Sequence, residues 1–427
     1  MKGTTITQVS LNEPASAGAR DLLIDSVGAQ GDGLSADHIF AALTLPGERV
    51  RAEVRGDRAE IVEILEPSPD RIAPVCPHFG DCGGCALQHW APAPYLDWKA
   101  EQIRQALGRE RIETEILAPF AAQPGARRRL ALHARKEAGA VRLGFKARRS
   151  WRLVDINVCP ISEPALVAAL PALRALAGPF LEHAKSAPTL HVTWTLSGLD
   201  VDVTGVERRS GGLSADAQQR AAKAAAAGDM ARVTLAGETI YQARQPVVRF
   251  GPATVALPPG SFLQAVAAAE AAMAEFAVEA IAGAARIADL YCGVGAFTFR
   301  LAQTASVHAA DVSAPAIKAL IAATGTASGL KPITAEARDL GRRPLLAMEM
   351  KKLDAVVFDP PRAGALEQSG EIGRSKVAAA VGVSCNPATF ARDARILVDA
   401  GFKLETVKPV DQFLWSPHVE LVGVFRR

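Results

Sequence analysis

From Arg286 to the C-terminus, short apolar runs and helix-compatible stretches take turns with a regularity that few architectures accept. Runs at 287–290, 307–310, 353–358 and 378–384 read as strands, with 297–302, 314–323 and 388–400 as helices among them. Strands separated by helices at this spacing must run parallel and cross over, so the pattern predicts a doubly wound α/β sheet. Two more strand candidates, 403–409 and 419–425, follow with no helix between them, which predicts an antiparallel close to the sheet.

That region is under half of a 427-residue chain, so further domains are required. With 49% hydrophobic and 22% charged residues the chain can fill large cores and is not biased towards disorder. No apolar run reaches the roughly 18–20 residues of a membrane span. Met1–Gly3 leads into Thr and Gln rather than a basic and apolar leader, and the expectation is a cytoplasmic protein with no membrane partner. Near the N-terminus, strand-like runs at 21–27, 48–54 and 59–65 are joined by turns such as Gly31-Asp32-Gly33, which suggests a small β-barrel. Pro67, Pro69 and Pro74 then mark a boundary, and a helix is expected over 93–107. Residues 127–250 look mixed and strand-rich, with helices at 164–177 and 214–227. The Ala-rich stretch 265–285 carries Glu270, Glu275 and Glu279 at helical spacing and reads as an amphipathic helix.

The net charge of +3 hides a strong local bias. Residues 126–152 hold eight Arg and two Lys against one Glu, with Phe145 and Trp151 interleaved. Such clustering is the pattern of a surface for nucleic-acid phosphates, although solvated strand faces would look similar.

Within the α/β region, Asp289-Leu290-Tyr291-Cys292-Gly293-Val294-Gly295 follows a strand and opens a helix, where Gly293 and Gly295 let the backbone approach a ligand. Thr298 stands where a dinucleotide fingerprint has its third glycine, which argues against a diphosphate cofactor. Asp311, 22 residues beyond Asp289, is placed for ribose hydroxyls, and Asp339 for an adenine edge. Carboxylates at successive strand ends would repel a diphosphate and suit S-adenosylmethionine, which is cationic at sulfur. Further on, Asp359-Pro360-Pro361 is followed by Arg362, where an amine methyltransferase would carry a stacking aromatic. That departure favours a carbon target, which needs electron density pushed into it. Ser384-Cys385-Asn386-Pro387 places a cysteine just before a helix, whose start is expected to lower the thiol pKa towards neutrality.

Cys76, Cys82 and Cys85, with the distant Cys159, supply four thiolates, enough for zinc or for a [4Fe–4S] cluster. Spacing leaves both open.

Five separated segments carry a resemblance: 260–264 (GSFLQ), 289–297 (DLYCGVGAF), 359–362 (DPPR), 384–393 (SCNPATFARD) and His418-Val419-Glu420. In order and spacing they resemble the RNA uracil-5-methyltransferase family. The segment 68–90 and Val158-Cys159-Pro160 are similar to that family's iron–sulfur members, which act on 23S ribosomal RNA. The likeness runs from about residue 20 to the end, with little contributed by 165–255. It implies a Rossmann-like class I methyltransferase domain (256–427), preceded by a TRAM-like, OB-like β-barrel (1–66) and an α+β central RNA-binding lobe with an iron–sulfur site (67–255).

The resemblance further implies that Cys385 adds to uracil C6 and that Glu420 removes the C5 proton, giving 5-methyluridine. Gln264, Tyr291, Gly293, Gly295, Asp311, Asp339 and Asp359 are the implied S-adenosylmethionine positions, and Cys76, Cys82, Cys85 and Cys159 the implied [4Fe–4S] ligands. Ala296 stands at a site often Asn in the family and Asp311 at one often Glu, which leaves the cofactor pose open. The partner implied is RNA, 23S ribosomal RNA above others, with no DNA expected. Alternatives are transfer-RNA uracil-5 methylation, a non-catalytic RNA-binding redox sensor, and zinc-supported amine methylation.

Overall fold

A computed structural model describes residues 18–207 and 213–427, so the first seventeen residues of the expected N-terminal barrel unit lie outside the described residues. Two compact units emerge, one from residues up to 74 with 86–95, the other from 75–85 with 96–427.

In the first unit β1 (Ala19–Val27), β2 (Gly33–Ser35), β3 (Phe40–Ala41), β4 (Arg49–Arg55) and β5 (Arg58–Glu66) close into a barrel in the order β1-β2-β3-β5-β4. The long strands are those expected. Strands β2 and β3 are too short for apolar alternation to reveal them. The barrel interior is Leu22, Ile24, Ile39, Ala41, Val50 and Ala52. Gly33 is required there, because a Cβ would stand 2.1 Å from the Thr44 hydroxyl.

The second unit takes in α1 (Pro92–Arg109) from residue 96 onward, then the short strands β6 (Glu115–Ile116) and β7 (Phe120–Ala121). A seven-stranded sheet follows: β8 (Arg129–Glu137), β9 (Ala140–Lys146), β10 (Leu153–Asp155), β11 (Thr189–Thr195), β12 (Gly198–Thr204), β13 (Arg232–Leu235) and β14 (Glu238–Gln242). Its order is β10-β9-β8-β11-β12-β13-β14, antiparallel except between β12 and β13. One face is apolar at every second residue, as Leu130, Leu132 and Ala134 show, and it packs on helices α2 (Pro164–Ala168), α3 (Leu170–Ala177) and α4 (Ala215–Ala227). The single helix expected over 164–177 is broken, since Pro171 has no N–H to continue the ladder and instead opens α3. Ser214 caps α4 as an acceptor for the Ala217 N–H.

A hairpin, β15 (Val247–Phe250) and β16 (Ala253–Ala256), leads to α5 (Ala267–Ala280). Glu275 and Glu279 are exposed on α5 as an amphipathic helix requires, but Glu270 is buried, its carboxylate 2.7 Å from the Arg128 guanidinium. The basic segment is thereby divided. Arg128 is turned inward, with its Nε donating to the Gln264 carbonyl, and Arg129 donates to the Leu263 carbonyl. Arg135, Arg142, Arg149 and Arg152 remain exposed. Part of the charge that reads as an RNA surface instead fastens the seven-stranded sheet to residues 263–270.

The remaining elements are β17 (Arg286–Leu290), α6 (Thr298–Leu301), β18 (Ser306–Asp311), α7 (Ala314–Ala323), β19 (Ile333–Ala337), β20 (Ala355–Phe358), α8 (Leu366–Arg374), β21 (Ala379–Ser384), α9 (Pro387–Asp399), β22 (Lys403–Asp411) and β23 (Glu420–Arg426). They form a sheet in the order β19-β18-β17-β20-β21-β23-β22-β6, with β7 also on β22. Strands β17 to β21 are parallel, and β23 is antiparallel to both neighbours, as the missing helix predicts. Strand order reverses between β17 and β20, which opens a crevice at the carboxyl ends of the parallel strands.

Candidate active site

At the end of β17 the chain makes a tight turn through Tyr291, Gly293 and Gly295, all with positive φ, 61°, 54° and 98°. For a tyrosine that backbone is strained. Gly293 faces open space, whereas a Cβ on Gly295 would lie 2.6 Å from the Phe299 ring. Asp311 ends β18, and its two carboxylate oxygens accept the Gly293 and Ser313 N–H groups at 3.0 and 2.8 Å. Each oxygen keeps acceptor capacity for a ligand hydroxyl. Asp339 follows β19 and accepts the Gly341 N–H at 3.1 Å.

Asp289 lies beneath this turn, buried, with one carboxylate oxygen held by the Thr298 hydroxyl and Oδ1 without a partner. Burial, then the nearby Asp359 and Asp311, push its pKa up to about 7. An orphaned carboxylate oxygen beside an open glycine turn fits a ligand that brings positive charge, as S-adenosylmethionine does.

Backbone register brings the expected catalytic pair together. Because β23 runs against β21, it begins at the edge where the parallel strands end, and Ser384 pairs with Leu421. The next residue outward on each strand is Cys385 and Glu420. Glu420 is buried, and burial together with Asp359 raises its pKa; Asp359 is raised by burial and by Glu270. The pair therefore holds its protons more tightly than free carboxylates do. Cys385 is pushed up to about 11, by burial first and then by the charges of Glu420 and Asp359, with Arg362 pulling weakly the other way. This overturns the expectation of a thiol lowered towards neutrality. At the start of α9 the Asn386 side chain, not the sulfur, accepts the Ala388 N–H, and burial with the two carboxylates outweighs the helix end.

A chain of amides joins the two acids. The Gln264 Nε2 donates to Asp359 Oδ2 at 3.0 Å, and the Gln412 Nε2 donates both to Gln264 Oε1 and to Glu420 Oε2, each at 2.7 Å. The Ala265 N–H fills the remaining Gln412 oxygen at 3.0 Å, which fixes the amide's orientation. Sequence reasoning missed Gln412, because a lone glutamine between strand candidates carries no spacing signal. Lys99 was missed as well. It looks like one charge on a solvated helix, yet it is fully buried and donates to Asp411 and to the carbonyls of Phe413 and His418 at 3.2 and 2.7 Å. Those carbonyls belong to the loop between β22 and β23, which ends at Glu420. Phe262, 71% exposed with the Arg129 guanidinium 5.1 Å from its ring centre, completes the list.

The four expected metal ligands lie apart from this cleft in sequence, and all four are partly buried. Cys82 feels the charges of Cys159 and Cys76, and Cys159 that of Cys76; burial is the larger cause raising both thiols. The Gly84 N–H donates to Cys82 Sγ at 3.4 Å and the Ser162 hydroxyl to Cys159 Sγ at 3.1 Å. Among the described residues no group of three His, Cys, Asp or Glu is drawn together tightly enough to hold a metal ion. The donor set itself, sulfur receiving N–H and O–H, is that of thiolate ligands.

Residues 253–427 match the family described as tRNA (uracil-5-)-methyltransferase. An uncharacterized RNA methyltransferase of Caulobacter vibrioides is 68% identical over 414 residues, spanning 96% of this chain and 100% of its own. The 23S rRNA (uracil(1939)-C(5))-methyltransferase RlmD of Halomonas elongata is 34% identical over 95% of this chain and 89% of its own. Among solved structures, the Pyrococcus abyssi tRNA (uracil-54, C5)-methyltransferase in complex with S-adenosyl-L-homocysteine superposes with a TM-score of 0.72 at 23% identity, over 95% of this chain and 99% of that one.

Proposed function

The chain belongs to the RNA uracil-5-methyltransferase family, and on that premise we propose that it methylates uracil C5 in 23S ribosomal RNA through a covalent adduct at Cys385. The observation that carries the mechanism is the register of β21 against β23, which sets Cys385 beside Glu420 at the rim of the cofactor crevice. The preference for 23S RNA is supported by the Halomonas relative, whose likeness runs along nearly the whole chain.

S-adenosylmethionine, when bound, supplies a methyl group on a cationic sulfur, and that charge favours the thiolate form of Cys385. Gly293, Gly295, Tyr291, Asp311 and Asp339 would hold its nucleoside end, and Gln264 and Asp359 the side facing the uracil. The Cys385 sulfur adds to C6, and the C5=C6 electrons move towards O4. The carbon C5, now electron-rich, takes the methyl group as the methyl–sulfonium bond breaks. Glu420 removes the C5 proton, and the returning electron pair expels the Cys385 thiolate and restores the double bond. A carboxylate made more basic by burial suits proton removal from carbon near neutral pH.

Cys76, Cys82, Cys85 and Cys159 would hold a [4Fe–4S] cluster, whose contribution is a cross-link between distant segments of the 67–255 lobe. All four donors are sulfur, and the cluster is favoured over zinc by the likeness of 68–90 and 158–160 to the family's iron–sulfur members. The barrel would add RNA contacts of its own, helping to offset the few kcal/mol that unstacking a target base costs.

The test is incubation with tritiated methyl donor and separate 23S and transfer RNA transcripts, followed by nucleoside mass spectrometry. Label in 5-methyluridine of 23S RNA is the expected result. Label in transfer RNA alone overturns the substrate, and label on nitrogen overturns the chemistry.

A further inference from the structure

One face of the seven-stranded sheet is packed on helices, and the other is only partly covered. Residues 257–264 pass over its β12–β13 side, where Arg232 donates to the Leu257 carbonyl and a Cβ on Gly260 would come within 3.7 Å of Asp202. Over β8 and β9 the basic outward residues stay partly or fully exposed. On β8 the outward residues are Arg129, Ala131, His133 and Arg135, which alternate with the core residues Leu130, Leu132 and Ala134. On β9 they are Arg142 and Lys146, with the buried Gly144 between them.

Register makes this face strongly positive. His133 pairs with Gly144 and Arg135 with Arg142, so two guanidinium groups stand directly opposite on one face. His191, paired with Ala131, joins them. Like charges directly opposite destabilise a sheet unless something negative lies across them. Arg142 meets Asp155 at 3.1 Å, which neutralises part of the charge. The environment of His133 reports the remainder: burial and then the charges of Lys146, His191 and Arg135 lower its pKa.

Two exposed aromatics stand at the end of this face where β8 begins and β9 ends. Trp151 is 74% exposed and carries the Lys146 ammonium 3.8 Å from its ring centre, while Phe262 carries Arg129. In each case a cation covers one side of the ring and leaves the other for a stacked base. A cavity of about 460 Å³ beside Trp151, lined by Gly83, Lys146, Arg149 and Ser150 among others, adjoins the cysteine-bearing loop. Phe262 is two residues from Gln264, so this end of the sheet is the end that meets the cleft.

We propose that the open β8–β9 face, with Trp151 at its rim, is the track along which single-stranded RNA flanking the target uridine reaches the cleft. This rests on the RNA reading above and extends it to a defined surface. Phosphates would lie over Arg135, Arg142 and Lys146, and a flanking base would stack on Trp151. Duplex RNA, whose bases are already stacked, would leave the two rings unused.

The experiment measures binding of a fluorescent single-stranded uridine-containing RNA to the full chain across a salt series. Trp151→Ala is expected to weaken binding roughly 5-fold or more, the scale of one lost base stack. The double variant Arg135→Ser with Lys146→Ser is expected to flatten the slope of log K against log salt by about 0.7 per lost phosphate contact. Wild-type affinity and slope in both variants overturn the proposal, as does tighter wild-type binding to a duplex of the same sequence. Retained S-adenosylmethionine affinity and melting temperature show that the variants are folded; if Trp151→Ala is not, Trp151→Phe with its smaller ring decides by a partial loss. A wild-type protein that methylates no RNA defeats the functional reading instead, and does so without reference to these variants.

Discussion

Lys99 donates its ammonium to Asp411 across 312 positions of sequence, and both side chains are shut away from solvent. Burial lowers the Lys99 pKa to about 8 against the pull of Asp411. Removing one member of a buried pair strands the other, so Lys99→Met is expected to cost about 3–5 kcal/mol in urea denaturation. The double variant Lys99→Met with Asp411→Leu should recover most of that stability. It should not recover activity, since the Phe413 and His418 carbonyls, in the loop that ends at Glu420, stay unheld. Full activity in the double variant would show that the clamp serves folding alone.

Cys385→Ala should abolish methyl transfer. Glu420→Gln should still add to the base and accept the methyl group but stall before proton removal, leaving RNA attached to protein in denaturing gels. Free RNA with normal turnover from Glu420→Gln would remove that residue from the reaction.

The pH profile follows from the signs of the shifts. Glu420 and Cys385 both have raised pKa values, and both act in the deprotonated form, so turnover under single-turnover conditions should climb from pH 6 to pH 9. A profile already flat from pH 6 upward would mean that bound substrates erase the shifts.

Gly295→Ala places a methyl group 2.6 Å from the Phe299 ring at a φ of 98°. Calorimetry should show S-adenosylmethionine binding weakened at least about tenfold, because clash and strained backbone act together on the turn, each on the order of 1–3 kcal/mol. Gly293→Ala meets no neighbour within 4 Å and should cost less in melting temperature.

Cys82→Ser removes one of the four thiols that the cluster proposal requires. Iron content and the broad visible absorbance should fall together, with RNA affinity lost and S-adenosylmethionine affinity retained. Retained iron in that variant would sink the ligand assignment.

Much of this architecture was legible because it rests on periodicity. The alternation after Arg286, the missing helix before the last strand and the glycine turn at 291–295 are local signals, and each placed an element correctly. What escaped were features made by distant partners. Glu270 looks like one more helix-surface acid until Arg128 arrives from another sheet, and Lys99 until Asp411 does. Gln412 gains its role only once Gln264 and Glu420 flank it. The Cys385 thiol was misjudged for the same reason: its helix is adjacent in sequence, whereas the burial and the carboxylates that oppose it come from distant segments.

The backward course of the closing strand sets a tolerance on errors in assembly. A slip of one residue between β21 and β23 would bring Leu421 to the position of Glu420 and turn every side chain of β23, that carboxylate included, to the opposite side of the sheet. Such a molecule would keep its nucleophile and lose the carboxylate beside it.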